Sequence, residues 1–304
     1  MKKVIVTGAN GFLGSALVRC LTEKGIQVTA LDLATHSQNI PVGPLVKFVP
    51  FNLQAVSDLL KQIEDRDYDT FFHLAWSGSA GPERADVSLQ LKNAQWTVDC
   101  LDTAKELGCA RFVGAGSIME KETIYAVSEQ KNQPGSAYVY GAGKLVAHGM
   151  SKSRAAEVGI EHLWGLITNA YGEGERSPRF INTTLRKIIS GEPLTFTSAT
   201  QNYDFIHVCD VARAFMMLGE NGYPFCEYII GSGKARPLRE FILEIGKTLA
   251  PDCELFFGDI PFSGIDLPLD VLDSEPIRID TGFSARISFS EGIKRTMDWI
   301  VREG

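Results

Sequence analysis

Two side chains four residues apart could share one acid–base reaction. Tyr140 and Lys144 form the pattern Y-x-x-x-K inside a segment with helical periodicity, and this spacing places both side chains on one face of a helix. A lysine ammonium beside a phenol favours the phenolate and lowers the pKa of the phenol towards the range of a working general base. The alternative is an ordinary pair on a helix surface, so the pattern needs support from elsewhere in the chain.

Ser117 is a hydroxyl placed where it could join that pair. The segment from Arg111 to Ala115 predicts a strand, which runs out through Gly116 to Ser117. The carboxyl ends of parallel strands form the ligand-binding edge of such a sheet. Ser117 is therefore expected beside a bound ligand, and the alternatives are a turn serine or a helix cap.

Three glycines near the N-terminus predict a phosphate-binding turn. Gly8, Gly11 and Gly14 follow the β-branched run Val4–Val6, and apolar residues then recur with the period of a helix. In this strand–turn–helix, backbone N–H groups can approach a pyrophosphate at the positive end of the helix, and the last glycine lets the helix pack closely on the strand. The other residues of the turn include Asn10, Phe12 and Leu13.

The choice of dinucleotide depends on an acid after the second predicted strand. Asp32 lies 18 residues beyond Gly14, about where a dinucleotide-binding unit places the carboxylate that hydrogen-bonds a ribose 2′-OH. No arginine or lysine lies between Asp32 and Val46, so nothing nearby in the sequence would pair with a 2′-phosphate. The sequence favours NAD, with NADP the less favoured cofactor; the alternative for Asp32 is a solvated loop acid.

These residues need a scaffold, and strands and helices alternate through the first half of the chain. The predicted strands span 27–31, 46–51, 69–75, 111–115 and 161–167, and the predicted helices span 53–63, 87–107 and 138–158. Strands separated by helix-length segments form parallel β-α-β units. We therefore expect an α/β fold: a Rossmann-type, doubly wound parallel sheet in residues 1–168, which would bind NAD.

In the second half of the chain, predicted strands and helices alternate less regularly. It predicts helices at 181–190, 211–218, 238–249 and 290–302 and short strands at 205–208, 228–230 and 254–257. We expect residues 169–304 to form a smaller C-terminal α/β lobe that binds the substrate. This lobe would be interleaved with the first domain, without a clean linker.

Composition narrows the class of protein. The chain has 304 residues, a formal net charge of −7 and 44% hydrophobic residues, which suits one large or two smaller domains and gives no support to nucleic-acid or membrane binding. No apolar run is long enough to span a bilayer, and a strand follows Met1 too closely to leave room for a signal peptide. Six cysteines without metal-ligand spacing predict reduced residues of a cytoplasmic protein.

Taken together, these motifs resemble the extended short-chain dehydrogenase/reductases of the NAD-dependent epimerase/dehydratase group, most of which act on nucleotide sugars. The resemblance covers nearly the whole chain. Further segments that match the group in order are His73-Leu74-Ala75-Trp76, Asn93, Asn169-Ala170-Tyr171-Gly172, Asp204-Phe205-Ile206-His207-Val208, 280–283 and 290–293.

The resemblance implies roles for individual residues. Tyr140 would be the catalytic base, Lys144 would hold the nicotinamide ribose and tune Tyr140, and Ser117 would orient the substrate oxygen. Asn52 and Leu53 stand where the group contacts adenine. The remaining implied cofactor contacts are Leu74, Ala75, Trp76 and Asn93, and the implied substrate contact is Asn169. A homodimer through the helices at 87–107 and 138–158 is also implied.

Three departures from the group concern arginines that grip a diphosphate. Tyr203 and Leu166 stand at two of these positions, and a third is replaced within residues 261–263. Arg176, Arg179 and Arg236 could substitute, because guanidinium groups suit phosphate; the alternative is that they are solvated loop charges.

The expected substrate is a nucleotide-diphosphate sugar, and three functions remain open. An NAD-dependent C4 epimerase is favoured over an NAD(P)H-dependent 4-ketoreductase, and a non-catalytic dinucleotide sensor is the third. Ile118 and Met119 replace the Asp-Glu pair of the 4,6-dehydratases, with Glu120 one position late, which argues against dehydration. His207 is expected to be structural, His36, His148 and His162 lack ligand spacing, and we predict no metal.

Overall fold

The first half of the chain builds one parallel sheet with helices on both faces. A computed structural model describes residues 1–33, 37–258, 260–262 and 264–303, so His36 and Ser263 lie outside the described residues. The strands are β1 Lys3–Thr7, β2 Gln27–Asp32, β3 Val46–Pro50, β4 Thr70–His73, β5 Arg111–Ser117, β6 Glu161–Ile167, β7 Asn169–Tyr171, β8 Leu194–Phe196, β9 Asn202–Tyr203, β10 Phe205–His207, β11 Glu227–Ile230, β12 Arg236–Pro237 and β13 Leu255–Phe257.

The α-helices of the described residues fall between these strands, except for the last two, which follow β13. They are α1 Phe12–Glu23, α2 Leu59–Gln62, α3 Val87–Glu106, α4 Met119–Ser128, α5 Val139–Val158, α6 Phe180–Ser190, α7 Val208–Asn221, α8 Leu238–Leu249, α9 Glu275–Thr281 and α10 Phe289–Glu303. None of them combines the length and the hydrophobicity needed to cross a membrane.

Seven strands form the main sheet in the order β11-β6-β5-β4-β1-β2-β3, and every pairing in it is parallel. The predicted Rossmann-type sheet is confirmed. The direction in which successive strands are added to the sheet reverses after β3, because β2 and β3 lie on one side of β1 and β4 lies on the other. Such a switch point opens a crevice at the carboxyl ends of the strands, where α/β proteins bind ligands.

The sheet is buried on both faces. Residues of β1, α1 and α7 form one hydrophobic core, and residues of β4, β5 and α3 form another on the opposite face. Covering helices explain why β1, β4 and β5 consist of apolar runs rather than alternating residues.

The second half of the chain returns to the sheet and also has a core of its own. Strand β11 pairs with β6, with Tyr228 opposite Gly165, and α7 packs on α1. A separate cluster is built mainly from α6, α8 and α10 with Phe196 and Phe205. The substrate-lobe prediction therefore corresponds to a segment that contributes both to the sheet and to a second core.

Two local differences from the predictions lie close to the carboxyl edge of the sheet, and the short β7, β8, β9, β12 and α9 also had no counterpart. The predicted helix at 53–63 is a 3₁₀ turn at Leu53–Asp58 followed by the short α2, because Ala55 has non-helical backbone angles (φ −133°, ψ 44°). Helix α4 had no counterpart among the predictions. Its two acids Glu120 and Glu122 interrupt the apolar pattern by which helices are recognised.

Candidate active site

A cleft of about 780 Å³ runs along the carboxyl edge of the sheet. The glycine turn and Asp32 line one part of it, and Ser117, Tyr140 and Lys144 line another. Asn169 and Arg179 lie on the wall formed by the second half of the chain. The other predicted residues that line the cleft are Asn10, Phe12, Leu13, Asn52, Leu53, Leu74, Ala75 and Trp76.

The glycine turn is shaped by close backbone approaches. Gly8 has a φ of +69°, and a Cβ there would lie 2.8 Å from the backbone nitrogen of Ala75. A Cβ on Gly14 would lie 1.9 Å from the carbonyl oxygen of Gly8. Because no side chain fits at these positions, the backbone of the turn stays accessible to a ligand at the start of α1.

Asp32 is held at the end of β2 by backbone donors. The backbone N–H of Asn10 donates to its Oδ2 atom and that of Leu33 to its Oδ1 atom, each at 2.8 Å. The carboxylate is thus fixed beside the glycine turn, at the end of β2. Chain positions 34–36, beyond this strand, lie outside the described residues.

The helix that carries Tyr140 and Lys144 is fixed by the two glycines between them. A Cβ on Gly141 would lie 2.1 Å from Oγ1 of Thr123 on α4, and a Cβ on Gly143 would lie 2.8 Å from Cβ of Gln90 on α3. The small residues let α5 pack closely on both neighbours. Tyr140 and Lys144 are consequently both buried at the floor of the cleft.

Lys144 is anchored from behind. Its Nζ donates to the carbonyl oxygen of Ala115 at 2.7 Å and lies 3.8 Å from the centroid of the Trp76 ring. Burial lowers the pKa of Lys144 to about 7, although the negative charge of Glu120 acts in the opposite direction. The lysine is therefore a partly dehydrated cation in an apolar corner of the cleft.

The pKa of the Tyr140 phenol is set by opposing effects. Burial raises its pKa, and the charge of Glu120 adds to this, whereas Arg179, Arg84 and a hydrogen bond with Ser117 lower it. Lys144 was expected to supply the lowering, but its Nζ lies 6.0 Å from the centroid of the phenol ring. The structure gives the two arginines that role instead.

Ser117 ends β5, two residues before α4 begins. Its Oγ accepts a hydrogen bond from the backbone N–H of Met119 at 3.2 Å, and the residue also lines the cleft. Its own N–H donates to Oε1 of Glu120 at 3.0 Å. Glu120 is 1% exposed and accepts from Nε1 of Trp164, which fixes Ser117 from the core side.

Three charged residues of the cleft were not singled out in the sequence: Arg84, Glu122 and Glu175, which pairs with Arg179. Arg84 lies in a 3₁₀ turn, Pro82–Ala85, with its guanidinium carbon 4.3 Å from the centroid of the Tyr140 ring. Glu122 lies on α4 and lines the same cleft. Because Arg84 lies in a short polar segment without a helical or strand pattern, the sequence gives no sign that its side chain reaches the cleft. Glu122 could have been found by extending the search for a carboxylate one helical turn beyond Ser117.

Three predicted site residues do not line the cleft. Asn93 is buried in α3, where its side chain bonds the backbone N–H and C=O of Ser77, so it supports the loop after Trp76. Arg176 is exposed and pairs with Glu303 at 3.1 Å. Arg236 pairs with Glu244 and lies 4.0 Å from the ring of Phe241, outside the cleft.

The two positions that lack family arginines have different surroundings. Leu166 is fully buried and packs with Trp164 in the core. Tyr203 lines the cleft and stacks on Phe205, with ring centroids 5.5 Å apart.

His207 caps the N-terminus of α7 and has a close neighbour at each ring nitrogen. Its Nδ1 accepts from the backbone N–H of Cys209 at 3.3 Å, and its Nε2 lies 2.8 Å from Oε2 of Glu173. Ligand atoms of these three residues lie within 4.8 Å of one another. Nε of Arg295 also lies 2.8 Å from the Glu173 carboxylate, so a guanidinium already balances its charge.

Similar proteins share both the length and the fold of this chain. A dTDP-4-dehydro-6-deoxyglucose reductase of Escherichia coli is 23% identical, over 96% of this chain and 95% of the reductase. WbmF of Bordetella bronchiseptica, solved in complex with NAD+ and UDP, is 25% identical with a TM-score of 0.78, over 99% of this chain and 92% of that one. A UDP-glucose 4-epimerase of Thermotoga maritima, solved with UDP-glucose, has a TM-score of 0.78 at 19% identity and covers 99% of each chain.

The family assignment comes from a match over most of the sequence. The model of the NAD dependent epimerase/dehydratase family matches residues 4–231, which includes every strand of the main sheet and all of the residues proposed for acid–base chemistry. The matched family is defined by NAD-dependent enzymes, so the predictions of an enzyme and of NAD as its cofactor are confirmed. The chain belongs to the NAD-dependent epimerase/dehydratase family.

Proposed function

We propose that this protein is an NAD-dependent epimerase that inverts C4 of a nucleotide-diphosphate sugar. The observation that carries the proposal is the convergence of Ser117, Tyr140 and Lys144 on one cleft with the glycine turn and Asp32. A general base and a dinucleotide cradle in one cavity suit the interconversion of a hydroxyl and a ketone. They also argue against a non-catalytic sensor, which would need neither side chain.

The cofactor would lie along the edge of the sheet. The backbone of the turn at Gly8, Gly11 and Gly14 would hold the pyrophosphate, Asp32 a ribose diol, and Lys144 the nicotinamide ribose. Asn52 and Leu53 would contact the adenine. When bound, NAD supplies the group that accepts a hydride from the sugar carbon and returns it.

The protein's own part in the reaction is to move one proton. Tyr140, as the phenolate, takes the proton of the C4 hydroxyl, and Ser117 donates a hydrogen bond to the same oxygen. Positive charge from Arg84 and Arg179 favours the phenolate over the phenol. After the keto sugar has turned over in the cleft, Tyr140 returns the proton to the C4 oxygen and leaves the inverted alcohol.

Substrate binding is assigned mainly to residues of the second half of the chain. Asn169 and Arg179 would contact the nucleotide sugar, because both line the cleft that also holds Ser117 and Tyr140. Arg84 adds a cation from the first half. Arg176 and Arg236 are not part of this proposal, since their partners hold them outside the cleft.

A 4-ketoreductase is the second candidate. It is favoured by the similarity to the E. coli reductase and by Tyr203 and Leu166 at the positions of two family arginines. An epimerase returns the hydride that it took and consumes no cofactor, whereas a reductase uses one reduced cofactor for each product.

The test incubates the purified protein with NAD and UDP-, dTDP-, CDP- and GDP-hexoses. Sugar configuration is followed by NMR and the nicotinamide by absorbance. Inversion at C4 without net NADH is the expected result. Stoichiometric NAD(P)H oxidation with a 4-keto sugar, together with no inversion of any 4-hydroxy sugar, would replace the epimerase by the reductase.

We also propose that two copies associate through α3 and α5. Leu91 on α3 and Met150 on α5 are 55% and 57% exposed, although both helices otherwise contribute to the core. Light scattering should give twice the chain mass of 33.3 kDa, and Leu91→Glu should shift the protein towards the monomer. A monomeric wild-type protein would rule this out.

A further inference from the structure

Four side chains that the proposed mechanism does not use lie together at the start of α7. Cys209 is the second residue of this helix, and His207 caps its N-terminus. Glu173 follows β7 and places its Oε2 atom 2.8 Å from Nε2 of His207. Arg295 reaches in from α10, with Nε 2.8 Å from Oε1 of Glu173 and Nη2 3.6 Å from Sγ of Cys209. A thiol, an imidazole, a carboxylate and a guanidinium thus form one cluster, and none of the four residues lines the cleft.

The sulfur of Cys209 has neighbours that stabilise a negative charge. Arg295 donates a hydrogen bond to it, and the positive end of the 14-residue helix α7 lies at the same point. A hydrogen bond with His207 is the largest of the effects that lower the pKa of the Cys209 thiol. The charge of Arg295 acts in the same direction, whereas burial and the charge of Glu173 act to raise this pKa. Reactive cysteines occur in such settings, at helix N-termini beside basic side chains.

Other cysteines of the chain differ from Cys209 in their surroundings. Cys100 and Cys109 are buried in the core, and burial raises the pKa of both thiols. Burial also raises the pKa of Cys20 to about 11. Cys253 is the exposed cysteine, whereas Cys209 is only partly exposed. If exposure alone decided reactivity, Cys253 would therefore react faster than Cys209.

We propose that Cys209 is a reactive thiolate and a modification site for small electrophiles such as hydrogen peroxide, activated by His207 and Arg295. The proposal follows from the arrangement of the four side chains and from the partial exposure of the sulfur. It does not depend on the function proposed for the cleft, because it involves neither the dinucleotide nor a sugar.

The reaction with peroxide balances within the cluster. The thiolate sulfur attacks one oxygen of hydrogen peroxide, so that an S–O bond forms and the O–O bond breaks. Although burial acts to lower the pKa of His207, hydrogen bonds with Cys209 and Glu173 raise it, so the imidazolium can give its proton to the departing hydroxide and form water. Sulfur loses two electrons to the peroxide and Cys209 becomes a sulfenic acid, which an added thiol reduces back.

A metal site is the alternative for the same cluster. Atoms of Cys209, His207 and Glu173 that could bind a metal ion lie within 4.8 Å of one another. The position of Arg295 favours the thiolate, because its guanidinium already contacts both the Glu173 carboxylate and the Cys209 sulfur. A divalent cation at this point would be repelled by the guanidinium.

The first test is alkylation of the whole protein by iodoacetamide, mapped by mass spectrometry, with Cys253 as the reference in the same molecule. A lower pKa raises the thiolate fraction tenfold per unit while nucleophilicity falls by less. At pH 6.5 Cys209 should therefore react about threefold faster than Cys253 or more. At pH 9.5, where both thiols are ionised, the more exposed Cys253 should react faster. Faster reaction of Cys253 at both pH values, or a ratio that does not change with pH, overturns the proposal.

A pair of arginine variants tests the activation. Arg295→Gln removes the cation beside the sulfur, so alkylation of Cys209 at pH 6.5 should slow by about threefold or more. Arg302→Gln, at an exposed position of the same helix, is the matched control and should react like the wild type. Circular dichroism checks that both variants fold, and the wild-type comparison of Cys209 with Cys253 needs neither of them. A folded Arg295→Gln protein that reacts at the wild-type rate overturns the role of Arg295.

The last test uses peroxide and zinc. One equivalent of hydrogen peroxide followed by dimedone, which captures sulfenic acids, should label Cys209 ahead of Cys253. Lack of a label on Cys209 overturns the oxidation step. One equivalent of Zn²⁺ should leave the alkylation of Cys209 unchanged, and full protection that EDTA reverses would replace the reactive thiolate by a metal site. Because NAD and sugars are absent from every sample, these outcomes are independent of the epimerase assay.

Discussion

Replacing Lys144 by methionine should stabilise the cofactor-free protein at low pH while removing its activity. The side chain of Lys144 is buried, and its pKa falls from 10.5 to about 7 because burial disfavours the charged form. This fall corresponds to about 5 kcal/mol, since each pKa unit is worth about 1.36 kcal/mol. Methionine has a similar length and carries no charge, so Lys144→Met removes that cost.

The gain in the free energy of unfolding is reduced because methionine cannot make the hydrogen bond that Lys144 donates to Ala115. The carbonyl oxygen of Ala115 accepts from Nζ of Lys144 at 2.7 Å, and leaving a buried acceptor unpaired costs about 1–3 kcal/mol. At pH 6 the variant should therefore be more stable than the wild type by about 2–4 kcal/mol.

The sign of the pH dependence follows from proton binding. Between pH 7 and 10.5 the unfolded wild-type chain binds more protons at this lysine than the folded chain, so the wild type gains stability as the pH rises. The cost of the buried charge is fully present below pH 7 and disappears as the pH approaches 10.5. The advantage of Lys144→Met should shrink above pH 7 and reverse at about pH 9.

Urea unfolding of cofactor-free protein at pH 6, 7.5 and 9, followed by circular dichroism, measures the difference. Lys92→Met, at an exposed position on α3, is the control and should leave the free energy of unfolding nearly unchanged. Equal or lower stability of Lys144→Met at pH 6, or a difference that does not vary with pH, would refute the reasoning. Such a result would mean that burying the charged Lys144 ammonium does not lower the free energy of unfolding.

Three further predictions concern other parts of the cleft. Tyr140→Phe keeps the ring and removes the proton carrier, so turnover should fall by about 10²–10⁴-fold with little change in NAD affinity; near-normal turnover would exclude Tyr140 as the base. Because Asp32 repels a 2′-phosphate, calorimetric titration should show tighter binding of NAD than of NADP, and equal affinity would contradict the role of this acid. Gly14→Ala places a methyl group 1.9 Å from the Gly8 carbonyl oxygen. The affinity for NAD should therefore fall about tenfold or more, and the free energy of unfolding should fall by about 1–3 kcal/mol. Gly43→Ala, whose methyl group meets nothing within 4 Å, is the control and should preserve both quantities.

Regular, apolar elements could be predicted closely from the sequence. Helix α8 has the predicted bounds, Leu238–Leu249, because its apolar residues recur with the period of a helix, and Glu161–Ile167 was predicted as a strand for its apolar run. The glycine turn and the Tyr140–Lys144 spacing were also readable, since each requires particular residue types at fixed positions. In such segments the local pattern and the tertiary fold favour the same structure.

The missed features depend on packing between distant segments. Arg84 is part of the site only because its loop folds over Tyr140, and Glu122 only because α4 turns that face towards the cleft. Arg179 lies on the cleft whereas Arg176 and Arg236 do not, although all three share the same chemistry in the sequence. A sequence shows which residues could bind phosphate, but the packing of their segments decides which of them reach the cleft.

The pairing of β11 with β6 has a consequence for the order in which the chain can fold. The strand that completes the main sheet is formed by residues 227–230, far beyond the segment that contains the cofactor cradle. Until that part of the chain has been synthesised, β6 keeps a row of backbone donors and acceptors without partners, and such an open edge invites pairing with another chain. A nascent chain on the ribosome must therefore pass through a stage in which the cofactor-binding segment has been synthesised but β6 is still an unpaired edge strand.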